Sequence, residues 1–105
     1  MSNISEIMNG IKADALALAK THCDEFIQEA NAAATAFIDT SKEDFAQWAL
    51  LVSAGHLKQK ELESLVRGKR DLVIMKALKA KGLAQIRIDS FVNGIIDSTI
   101  KRITG

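Results

Sequence analysis

Apolar and small side chains recur along the first third of the chain at Ile4, Met8, Ile11, Ala15, Ala19, Cys23, Phe26, Ala30, Ala33 and Phe37. These ten positions are spaced by 3.67 residues on average. An α-helix repeats every 3.6 residues, so they line up as one nearly straight stripe. No proline interrupts them, and Gly10 is the only helix breaker among them. The pattern predicts one helix over 3–38, capped by Ser2, Asn3 or Ser5. Such a helix would be about 52 Å long, whereas a compact domain of this length has a radius of gyration of about 13 Å. It is therefore expected to overhang its own body unless it bends, and Gly10 and the alanine tract 30–36 are where a bend would be easiest. A spacing near 3.67 also argues against a left-handed supercoil.

A break follows at Asp39-Thr40-Ser41-Lys42-Glu43-Asp44. Thr40 with Glu43, or Ser41 with Asp44, has the spacing of a capping box, and three acids suit the positive end of a helix dipole. A second helix is predicted over 41–54. From Phe45 to Val52 only Gln47 is polar, and a helix apolar nearly all round is expected to be buried on most sides. Gly55 provides its stop. A third helix is predicted over 58–80, with Leu62, Leu65, Val66, Leu72, Val73, Met75, Ala77 and Leu78 as its apolar positions and Gly68 as a close crossing or local break. Gly82 with Leu83 repeats the stop formed by a glycine and a following apolar residue.

The segment 83–103 contains Asn93-Gly94, a hairpin signal. Its flanks do not alternate, however, and Ile88, Phe91, Val92, Ile95, Ile96, Thr99, Ile100 and Ile103 follow the i, i+3, i+4 rule. The pattern predicts a fourth helix, antiparallel to the third because the connection between them is short. Together these segments define an all-α fold in one domain, 1–105: a four-helix bundle with a long N-terminal helix and an antiparallel C-terminal pair.

Composition agrees. Proline and tyrosine are absent, and 48% apolar with 26% charged residues is ordinary for a folded protein. The N-terminus has neither the basic nor the apolar region of a signal peptide. The longest charge-free run, 45–55, is too short to span a bilayer. A single cysteine allows no internal disulfide, and a reducing cytoplasm is the expected compartment. The net charge of +1 hides a split. Residues 1–50 hold three basic and eight acidic side chains, a net −5, and residues 51–105 hold eleven and five, a net +6. Such a split marks either a nucleic-acid surface or two halves that pair, within one chain or between copies.

Few residues suggest chemistry. His22, Glu25 and Glu29 fall at i, i+3, i+7, a metal-ligand spacing, but no second Glu/His set completes a di-metal bundle. No metal and no cofactor is therefore expected. Cys23 lies on the apolar stripe and reads as a small hydrophobe. No nucleophile triad, phosphate-cradling loop or paired-cysteine motif is present, so the chain is read as non-enzymatic. Arg67, Lys69, Arg70, Lys76, Lys79 and Lys81 form a basic face with no interleaved aromatic residue for stacking on bases. The last helix, with its few basic residues, reads as core-facing rather than membrane-surface. The functional expectation is a self-associating helical module for protein–protein interaction. A second copy, or another helical protein, would cover the overhanging stripe at Ile4, Met8, Ile11, Ala30, Ala33 and Phe37. The alternative is a small nucleic-acid-binding protein using 67–81.

Overall fold

The computed structural model describes residues 3–69 and 73–105, and within 73–77 only the side chain of Lys76. Every regular element among the described residues is a helix: α1 (Ile4–His22), α2 (Ile27–Thr40), α3 (Lys42–Ser53), α4 (Gln59–Arg67), α5 (Val73–Ala80) and α6 (Gln85–Thr104). The all-α bundle expected from the pattern stands, with its four helical segments divided into six helices.

The first division changes the shape of the molecule. The expected rod over 3–38 is two helices, parted at Cys23–Phe26 rather than at Gly10 or in the alanine tract. The turn is made without glycine: Cys23 (φ −128°) and Phe26 (φ −136°) leave helical geometry, and the Phe26 amide donates to the Cys23 carbonyl at 2.8 Å. Lys12 on α1 then meets Asp39 on α2 at 2.8 Å. A pair that brackets the turn so evenly shows the two helices running antiparallel. The stripe closes on itself instead of overhanging. The radius of gyration is 13.4 Å, the value of a compact chain of this length.

The other ends follow local chemistry. Asn3 caps α1, its side-chain oxygen accepting from the Glu6 amide at 2.9 Å; Ser2, the other candidate on that side, lies outside the described residues. The capping box expected at 40–44 is not made: Ser41 is buried and gives no side-chain cap, and the Thr40 hydroxyl donates back to the Phe37 carbonyl. Both predicted glycine stops form. Gly55 (φ +79°) and Gly82 (φ +88°) take the left-handed conformation, and the next amides, His56 and Leu83, reach back five residues to Leu51 and Leu78. The predicted third helix ends at Arg67 with Gly68 as its cap and resumes as α5. Its expected core position Leu72 lies outside the described residues.

Helix α6 is the spine. All eight positions of its predicted apolar face are buried, and Asn93-Gly94 sits within the helix rather than in a hairpin. Going up α1 from Gly10 to Leu18, and on to Asp24 in the turn just beyond it, the α6 partners run down from Arg102 to Gly94 and Arg87, so the two helices are antiparallel. Gly94 makes room for Leu18, since a Cβ there would stand 2.7 Å from a methyl of that side chain. Arg67 of α4 lies 3.9 Å from Asp97; both are fifteen residues from Gly82, as an antiparallel turn at that glycine requires. The core between these helices holds Ile11, Ile38, Phe45, Leu62, Leu78, Ile88, Phe91 and Ile95 among its most enclosed side chains.

Helix α3 departs most from expectation. It is not buried on most sides: only Phe45 and Trp48 are buried, and Leu50 is 71% exposed.

Candidate functional site

The open face of α3 is one wall of a groove. Ala46, Ala49, Leu50, Val52 and Ser53 of α3 face Ile4 and Ile7 at the start of α1, with residues 102–105 at the end of α6 between them. The groove is open to solvent and its volume is about 760 Å³. Its position follows from the fold: α1 and α6 are antiparallel, so the beginning of one and the end of the other meet at the same end of the bundle. There Phe45 and Trp48 anchor the inner side of α3. Phe45 stacks edge-on to Phe37 of α2 at 6.0 Å and lies 5.8 Å from Trp48. The outer side, Ala46, Ala49, Leu50 and Ser53, falls at i, i+3, i+4 and i+7 and carries no charge. None of these four was singled out in the sequence. The signal was present in the run of apolar residues around the whole helix, which leaves one side over after the core is filled.

Among the described residues, Arg102 is the only ionisable side chain in the groove wall. It is already matched: its guanidinium donates twice to Asp14, at 3.1 Å each, and Ser98 donates to the same carboxylate at 2.6 Å. Those bonds, Arg102 first, hold the Asp14 carboxyl below the usual carboxylate range against the opposing effect of burial, and raise the Arg102 pKa. Gly10 leaves room for the guanidinium, which lies 2.7–2.9 Å from where a Cβ would be. A lowered folded pKa stabilises the protein above the unfolded pKa of about 3.9 and loses that contribution as pH falls through the folded value. The Asp14 side chain is 38% exposed, which limits the effect to below about 1 kcal/mol. Urea titrations at pH 7 and pH 3 are expected to show a loss on acidification that Asp14→Asn reduces by that amount; an unchanged pH dependence would refute it.

Further pairs explain the charge split. Asp14–Arg102, Asp24–Arg87 and Asp44–Lys69 each join an acid of the first half to a base of the second. The −5/+6 asymmetry is in part an intramolecular complementarity. It also changes the basic face expected around 67–81. Arg67 is paired with Asp97. Lys69 is paired with Asp44 and lies 5.9 Å over the Trp48 ring. Arg70 lies outside the described residues. Lys76, Lys79 and Lys81 are exposed, with no ion-pair partner among the described residues.

The residues expected to meet a second copy are largely spent on the chain itself. Met8, Ile11, Ala30, Ala33 and Phe37 are buried in its own core, because the stripe folds back at Cys23–Phe26. Ile4 alone is half-buried, and it lies in the groove. The metal spacing of His22, Glu25 and Glu29 is likewise broken, with His22 ending α1, Glu25 in the turn and Glu29 in α2. No group of three or more potential metal ligands occurs among the described residues. Cys23 is sealed in the core, and burial pushes its thiol pKa up, which makes it a poor nucleophile. Among the described residues no helix is long and apolar enough to cross a membrane. No family model matches the chain, nor does any curated protein or solved structure.

Proposed function

We propose that the protein is a non-enzymatic, self-associating helical module of the cytoplasm, a protein–protein interaction unit whose binding surface is the groove beside α3. One observation carries this reading. The apolar run 45–52 has only its inner side buried by the chain, and Leu50 stands 71% exposed at the rim of a groove in which Arg102, the one ionisable side chain among the described lining residues, is paired with Asp14. Helices of that composition are stable when enclosed, so the uncovered side favours a partner. The reading moves self-association from the N-terminal stripe, which the core uses, to the outer face of α3. Its non-enzymatic character is supported by the state of the reactive groups: the Asp14 carboxylate is occupied by Arg102 and Ser98, and the Cys23 thiol is enclosed. Light scattering on the purified chain at micromolar concentration is expected to give twice the 11.4 kDa chain mass. A single-chain mass throughout that range would overturn the proposal.

A second reading rests on Lys76, Lys79 and Lys81, exposed and unpaired among the described residues. Three phosphate contacts from this end of α5 would give a log–log salt slope of about −3 for duplex DNA. Absence of binding by fluorescence anisotropy at low ionic strength would eliminate it.

A further inference from the structure

We draw no further inference here: the strongest candidate, the outer face of α3 around Leu50 beside the groove walled by Ile4, Ile7 and Ile103, carries nothing, because nothing in the structure shows what covers it.

Discussion

Phe45→Ala is expected to lower the unfolding free energy by about 3–5 kcal/mol, the usual cost of emptying a buried phenylalanine site. Phe45 is fully enclosed and touches both Phe37 of α2 and Trp48 of its own helix. It is the side chain that fastens α3 to the hairpin of α1 and α2. Its loss leaves a cavity that Phe37, edge-on at an interplanar angle of 83°, cannot fill without tilting. The edge-to-face contact itself contributes about 0.5–1.5 kcal/mol beyond burial. Domains of this kind are stable by about 5–15 kcal/mol in total, so the variant will unfold at much lower denaturant. At a urea m value of about 1.5 kcal/mol/M the midpoint moves by about 2–3 M. Trp48, the chain's single tryptophan, reports the transition by fluorescence. A loss below about 1 kcal/mol would mean that the core does not close over Phe45. Leu50→Ala, about a turn and a half away on the open side, is expected to change monomer stability by no more than about 0.5 kcal/mol. The contrast between the two would establish that α3 is anchored on one side only.

What the sequence made legible was the part set by local rules. The face of α6 could be read residue by residue because a single helix with a full-width apolar stripe packs along its whole length. The glycine stops at Gly55 and Gly82 could be read because a glycine at the end of a periodic run, with an apolar residue one or two positions on (Leu57, Leu83), has few other uses. The turn at Cys23–Phe26 could not. Its residues keep the helical phase of the stripe, with Ala19, Cys23, Phe26 and Ala30 spaced as in an unbroken helix, and it contains no glycine or proline. The helix breaks there because folding back lets both halves of the stripe share one core with α6, a gain that depends on residues far away in the chain. Exposure of α3 was hidden for the same reason. An apolar helix shows that it needs neighbours, but how many the rest of the chain supplies is decided by the packing of α1, α2 and α6. The candidate groove was therefore visible only as an excess of apolar residues from 45 to 52.

Ala34 provides the sharpest test of the fold-back. It does not lie on the 3.67-residue stripe, which passes through Ala30, Ala33 and Phe37, yet it is fully buried along with Ile38. The buried face of α2 is wider than the stripe because, once folded back, α2 is packed by α1, α3 and α5 together. Ala34→Glu is accordingly expected to cost about 3–5 kcal/mol, since it places an uncompensated carboxylate in the core, whereas Ala32→Glu, at an exposed position on the same helix, should stay within about 0.5 kcal/mol. On an uninterrupted rod, position 34 would sit at the margin of the stripe and tolerate the charge nearly as well as 32. Size and charge can be separated. Ala34→Gln introduces a side chain of similar length without the ionised group, and is expected to carry only the overpacking and amide-burial part, about 1–3 kcal/mol. The excess for Glu also depends on pH in a definite direction. Burial raises the pKa of the introduced carboxyl above its unfolded value of about 4.3, so its penalty is largest at neutral pH. That penalty shrinks toward the Ala34→Gln value as pH falls through the raised pKa. Urea unfolding of the three variants at pH 7 and pH 5 measures this. A Glu penalty equal to that of Gln at both pH values would mean that position 34 remains in water, and the closed hairpin of α1 and α2 would then be wrong.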